Sequence, residues 1–221
     1  NRHARYRSRM LVDTFERPLR DLRISVTDRC SFRCVYCMPR DEYDGHEYLD
    51  RSEILTYDEI AKVAEIAAGL GVRKIRLTGG EPLLRRDLPV LVEMLAGIDG
   101  IEDLAMTTNG QLLAAQAERL AAAGLDRVTV SLDAIDDAAM RRIVDTDVSV
   151  DVVLDAMDAA EAAGLGPVKV NAVVRRGWNE DQVLPLVERF RGTGRTVRFI
   201  EFMDVGTKNS WDVTEVVPSA E

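Results

Sequence analysis

The chain has 221 residues, 46% apolar and 30% charged, the make-up of an ordinary water-soluble protein with room for one domain or one domain plus a piece. No run approaches the roughly 18 consecutive apolar residues a membrane-spanning helix needs, which excludes such a span. With 29 Lys and Arg against 38 Asp and Glu the net charge is −9, so broad electrostatic coating of a nucleic acid polymer is excluded and any anionic ligand requires a local basic cluster. The start, NRHARYRSR, is polar and is followed by no apolar stretch of signal-peptide type, so the predicted location is cytoplasmic.

Residues 1–20 read as an N-terminal segment, 21–203 as the core and 204–221 as the start of a C-terminal extension. Within the core, β-rich runs over 23–27, 72–78, 102–108, 125–132, 168–174 and 196–203 alternate with helical spacing over 57–68, 88–96, 112–123, 150–163 and 181–190. That alternation predicts a parallel α/β fold. In the first long helix Ile60, Val63, Ala64 and Ala67 follow one-face spacing, and Thr56 with Glu59 reads as a capping box. Gly69, Gly124 and Gly164 each follow an Ala-rich run and are expected to end a helix through a positive φ. No G-x-G-x-x-G follows the early strands, which favours a barrel-like curved sheet over a dinucleotide fold. Asp204 onward has turn signals and the short alternation of residues 213–217, but no closing domain.

The motifs fall at one sheet edge, where the loops of a barrel converge. Cys30, Cys34 and Cys37 follow the first strand, Gly79-Gly80-Glu81-Pro82 the second and Thr107-Thr108-Asn109-Gly110 the third, while Ser131 and Asp133 end the fourth and Met203 the sixth. Three cysteines within eight positions, and none after Cys37, make a poor disulfide framework and point to a reducing compartment with a metal or cluster site. Three thiolates can ligate three irons of a four-iron cubane and leave the fourth open. The alternatives are buried small hydrophobes or a zinc site completed by His3 or His46. Lys74 and Arg76 share a strand face, as do Lys169 and Asn171, and polar groups there suit an interior cavity. Arg85 and Arg86 read either as further cations toward an anionic ligand or as the solvated start of the helix after GGEP.

The CxxxCxxC loop followed by GGEP resembles the radical S-adenosylmethionine superfamily. LRISVTDRCSFRCVYCMP, KIRLTGGEPLLRRDL, TTNG, VSLD, KVNAVVRRGWNE and RFIEFMDVGT are similar, in order and spacing, to its GTP-cyclising members in molybdenum cofactor biosynthesis. The resemblance implies an incomplete TIM-like (β/α)6 barrel, a [4Fe-4S] cluster on Cys30, Cys34 and Cys37, and S-adenosylmethionine cleaved to a 5′-deoxyadenosyl radical. It places Tyr36, Gly79, Gly80, Glu81, Ser131 and Met203 around S-adenosylmethionine, with Glu81 receiving an ammonium hydrogen bond. It places Arg23, Arg76, Thr107 and Lys169 on GTP, with Lys74 and Arg198 as further phosphate contacts, and no catalytic side chain beyond the cluster and cofactor.

The implied reaction takes the ribose 3′ hydrogen and joins C3′ to guanine C8, giving (8S)-3′,8-cyclo-7,8-dihydroguanosine 5′-triphosphate. A one-electron reductant protein is implied, and the resemblance allows a homodimer and handover to cyclic pyranopterin monophosphate synthase. Ser31 departs from the Asn common in relatives. The family's second [4Fe-4S] cluster is expected only in a C-terminal region absent from this sequence. A radical enzyme acting on a peptide or small molecule and a non-catalytic Fe-S protein are the other readings.

Overall fold

The computed structural model describes residues 11–205 and 210–220. Strands β1 (Asp21–Ser25), β2 (Lys74–Thr78), β3 (Asp103–Thr108), β4 (Arg127–Ser131), β5 (Lys169–Val174) and β6 (Thr196–Glu201) form one parallel sheet whose spatial order is the chain order. They are joined through α1 (Arg40–Tyr43), α2 (Tyr57–Leu70), α3 (Leu88–Ala96), α4 (Ala117–Ala122), α5 (Asp137–Val144), α6 (Val150–Ala162) and α7 (Val183–Phe190). Right-handed crossovers that all step one way put every connecting helix on the same face, whereas a doubly wound sheet must reverse direction. The sheet is therefore an open, six-stranded partial barrel with its helices outside.

Alternation along each strand separates the two faces. Ile75, Leu77, Leu104, Met106, Val128, Val130, Val170 and Ala172 point outward under the helices and are at most 1% exposed. There they meet Leu88, Leu91 and Leu95 of α3, Leu120 of α4 and Val153 and Met157 of α6 in one apolar cluster. Each such side chain stabilises the fold by about 1.5–3 kcal/mol. The opposite face carries Lys74, Arg76 and Thr78, then Asp103 and Thr107, then Arg127 and Ser131, then Lys169 and Asn171, all partly exposed. The expected interior polar face is thus present.

Helix ends follow local chemistry. At the start of α2 the Thr56 hydroxyl accepts the Glu59 N–H at 3.2 Å and the Glu59 carboxylate accepts the Thr56 N–H at 2.7 Å, completing the capping box. Gly124 and Gly164 take positive φ at helix ends as expected, but Gly69 does not end its helix. One more turn position is used, and Gly71, at φ 117°, terminates α2. The buried stripe of α2 is Ile60, Ala61, Ala64 and Ala68, while Val63 is 46% exposed, because the small alanines give the closest approach to the sheet. The predicted helix over 112–123 is helical only in α4; before it, the Asn109 side chain accepts the Gln111 N–H at 3.0 Å and holds the chain in turns. Helix α5 was not anticipated, although Asp136 caps Ala139 N–H at 2.8 Å and Met140, Ile143 and Val144 give it a buried face.

Thr56→Ala removes one partner of the capping box and is expected to lower unfolding stability by about 1 kcal/mol, with Thr56→Ser restoring most of it, in urea denaturation followed by circular dichroism.

Candidate active site

The cysteine loop is held to three neighbouring elements by backbone bonds. Val26 N–H meets the Thr78 carbonyl at 2.9 Å, Arg33 and Val35 N–H meet Val144 and Ile143 carbonyls at the end of α5, both at 2.9 Å, and Phe32 is 2% exposed beneath the loop. The GGEP turn is stitched to the same loop: Gly80 N–H donates to the Thr27 carbonyl at 2.8 Å and Glu81 N–H to the Arg29 carbonyl at 2.7 Å. A Cβ on Gly80 would lie 2.3 Å from the Arg29 carbonyl oxygen, so this position has no room for a side chain. The glycine is needed first for backbone against backbone, a reason more immediate than access for a cofactor.

Glu81 departs from its expected role. Its carboxylate is fully buried and accepts Leu83 N–H at 3.0 Å, Thr108 Oγ1–H at 2.8 Å and Asn109 N–H at 2.7 Å. Burial raises its pKa while those three donors pull it down. The side chain ties GGEP to TTNG from behind instead of lining the cleft. Asn109 extends the tie by donating from Nδ2 to Ser31 Oγ at 3.0 Å, so the departure at Ser31 keeps a hydrogen-bonding partner within the cysteine loop.

One cleft of about 160 Å³ brings together Cys30, Cys34, Cys37, Tyr36, Gly80, Thr107, Ser131 and Asp133. Gly79 lines an adjoining cavity with the same three cysteines and His46. Met203 lies two residues beyond β6, is 56% exposed and lines neither space. All three thiols are unpaired, and desolvation pushes each pKa up, with Asp133 adding to the rise at Cys34 and Cys37. Forming thiolates here needs local positive charge, which iron supplies. Among the described residues no three His, Cys, Asp or Glu side chains are grouped to hold a single metal ion; His3 lies outside the described residues. Three soft donors facing one cleft without a common point fit a cubane, whose thiolates sit on separate irons.

Asp133 is the functional residue that the sequence reading placed at the edge without a role. It is 2% exposed, and its carboxylate accepts the Tyr36 hydroxyl at 2.7 Å and the Val173 N–H at 2.8 Å. Burial outweighs both bonds and lifts its pKa to about 6. Asn179 closes the arrangement by donating to the Asp133 and Val173 carbonyls at 2.9 and 2.8 Å. Nearby, Arg175 stacks 4.8 Å from the Trp178 ring and 4.7 Å from Phe202, and pairs with Glu215 at 2.8 Å.

Below this cleft the interior wall is basic. Register aligns Arg23 with Arg76, Arg76 with Ala105 and Ala105 with Arg127, then Thr107 with Thr129, Thr129 with Lys169, and Asn171 with Arg198. Lys74 is 3.5 Å from both Asp21 and Asp103, and Arg127 grips Asp103 at 2.9 and 2.6 Å. These carboxylates do not neutralise the wall. Burial, then Arg198, Arg23 and Arg127, lowers the Arg76 pKa; burial, then Arg127, Arg198, Lys74 and Arg76, lowers that of Lys169. Arg127 Nη1, Arg198 Nε and Asn171 Oδ1 are buried without a hydrogen-bond partner among the described residues. Arg127 was missed in the sequence, yet its spacing of two from Thr129 and four from Ser131 carries the same signal that singled out Lys74 and Arg76.

The radical SAM sequence profile matches residues 24–190. The chain belongs to the radical S-adenosylmethionine superfamily. The superfamily's [4Fe-4S] cluster and S-adenosylmethionine match the donor set described above. Curated relatives include a GTP 3′,8-cyclase of Acidothermus cellulolyticus, 56% identical over 95% of this chain and 58% of its own length. Another, from Staphylococcus aureus, is 51% identical over 96% of this chain and 62% of its own length. The chain thus spans about three fifths of the length of these relatives. Among solved structures, Streptococcus suis SuiB bound to S-adenosylmethionine superposes with a TM-score of 0.68 at 20% identity, over 86% of this chain and 42% of that one. Methylornithine synthase gives 0.65 at 19% identity, over 89% and 60%. Both share the fold. No helix among the described residues is long and apolar enough to cross a membrane.

Because Asp133 binds its proton more tightly in the fold than in the unfolded chain, its contribution to stability is complete below its ordinary pKa and is lost as pH rises toward about 6. In cluster-free protein, Asp133→Asn is expected to flatten the fall in stability over that window, measured by urea titration at a series of pH values.

Proposed function

We propose that this chain carries the radical-generating and triphosphate-binding parts of a GTP 3′,8-cyclase. The observation that supports this reading is the wall of mutually repelling cations, with two buried guanidinium nitrogens unpartnered, directly below the three-cysteine cleft. Cys30, Cys34 and Cys37 would hold the [4Fe-4S] cluster, with Tyr36, Gly79, Gly80 and Ser131 toward S-adenosylmethionine. When bound and reduced, that pair would supply the carbon-radical chemistry that takes the ribose 3′ hydrogen of GTP; joining C3′ to guanine C8 and then adding one electron and one proton would give (8S)-3′,8-cyclo-7,8-dihydroguanosine 5′-triphosphate.

The residues of the chain bind, orient and exclude water. Arg23, Lys74, Arg76, Arg127, Lys169 and Arg198 offset the triphosphate in a chain of net charge −9. Burial first, and neighbouring cations second, lower the Arg76 and Lys169 pKa values; a polyanion relieves the second part, so substrate binding and wall stability reinforce one another. Thr107 sits where the cleft meets the basic wall, on the same register row as Thr129 and Lys169, and positions the nucleoside end. Phe32, Met140 and Val144, each at most 2% exposed, line the cleft and keep it poor in water.

This reading takes GTP as substrate and a one-electron reductant protein as partner in a cytoplasmic setting, with a homodimer and handover to cyclic pyranopterin monophosphate synthase as further partners. A second [4Fe-4S] cluster is no part of these residues, whose only cysteines are Cys30, Cys34 and Cys37.

Anaerobically reconstituted, dithionite-reduced protein supplied with S-adenosylmethionine is expected to yield 5′-deoxyadenosine by mass spectrometry and to bind GTP in calorimetry. Deoxyadenosine formation without any GTP binding sinks the substrate assignment while leaving the radical site standing. Arg76→Met gives a sharper test: it is expected to keep or raise the melting temperature, because a repelled cation is removed, while weakening GTP binding by about tenfold in calorimetry.

A further inference from the structure

A second cavity, of about 530 Å³, lies outside the barrel interior and is lined by Arg29, Arg51, Arg85 and Arg86 with no carboxylate among its lining residues. It adjoins the cysteine loop: Arg29 immediately precedes Cys30, and Thr27 lines both this cavity and the neighbouring one that contains all three cysteines. Arg85 is fixed, donating to the Val26 carbonyl at 2.7 Å and to the Leu55 carbonyl, with its guanidinium 4.6 Å from the Tyr57 ring centre. Arg29 leans on Tyr48 at 5.2 Å. Arg51 and Arg86 are exposed; the Arg86 side chain is 90% exposed and pairs with Asp87, 3.4 Å from its Nε. None of the four is used in the site above.

We propose that this cleft is the docking surface for an acidic one-electron carrier protein that reduces the cluster, an inference resting on the radical-enzyme reading. Two observations select a protein over a small anion. Arg29, Arg51 and Arg86 are exposed, the kind of cation that steers a charged surface into register but does not seal around one phosphate. In addition, a chain of net charge −9 repels an acidic protein over most of its surface, so a cleft lined by four arginines and no carboxylate selects the approach that ends beside the cysteine loop. The step is balanced without bond or proton transfer: the carrier gives up one electron and the cluster accepts it.

The test uses the cluster-loaded protein and a bacterial flavodoxin as the acidic carrier, comparing wild type with Arg51→Glu/Arg86→Glu and the milder Arg51→Gln/Arg86→Gln. Oxidised flavodoxin is expected to bind the oxidised wild type at low salt, to weaken as salt is added, and to bind the charge-reversed variant about tenfold or more weakly with little salt dependence. Reduction of the cluster by flavodoxin hydroquinone, followed by loss of visible absorbance, slows in parallel, while reduction by dithionite is unchanged. Equal binding of flavodoxin to wild type and both variants overturns the proposal. So does one-to-one binding of inorganic triphosphate that is abolished in the variants while flavodoxin binding persists. Failure of the dithionite-reduced protein to form 5′-deoxyadenosine from S-adenosylmethionine strikes the radical reading instead and leaves the binding result to be judged separately.

Discussion

Everything in this molecule depends on six parallel strands lying in the same order in space as in the chain. With right-handed crossovers, that order allows the helices only one face, so the apolar half of every strand is buried outward and the polar half is forced inward. No helix among the described residues covers the inner face, and charged residues can occupy it without losing all contact with water. The same geometry gathers the ends of β1 to β4 at one edge, so that cysteines, GGEP, TTNG and the Ser131–Asp133 segment meet there despite their separation in sequence.

That edge is held by buried anions while the wall beneath is cationic. Glu81 links two loops through three hydrogen bonds, and Asp133 links Tyr36 of the cysteine loop to the backbone of β5. Both carboxylates are desolvated, which raises their pKa values, and Asp133 also makes thiolate formation harder at Cys34 and Cys37. The loops are therefore preorganised while the thiols remain dependent on a metal centre for ionisation. On the wall the imbalance has the opposite sign: Lys74 and Arg127 have Asp103, but Arg76 and Lys169 face other cations. Such crowding is costly without a counter-anion and favourable with one.

Much of this was legible in the sequence. The six strands, the capping box at Thr56, the cysteine loop and the pairing of Lys74 with Arg76 on one face all follow from short-range spacing, which β and α periodicity convert directly into geometry. Arg127 carried the same alternation and was passed over only because valine and threonine dominate its strand. Gly69 and Gly71 are both glycines near one helix end, and local propensity does not distinguish which takes the left-handed conformation; in the fold it is Gly71.

By itself, then, the sequence determined the alternation of strands and helices, the three-cysteine signature and the residue types available to meet an anion. These are local properties, set by periodicity and by the chemistry of neighbouring side chains. Tertiary structure alone decided that Glu81 faces inward to Thr108 and Asn109, that Asp133 accepts the Tyr36 hydroxyl, and that Met203 stands away from the cleft. It also decided that Arg29, Arg51, Arg85 and Arg86 share one external cavity. The physical reason is that partner choice, burial and repulsion depend on which distant segments the sheet register brings side by side, and no spacing rule within one segment contains that information.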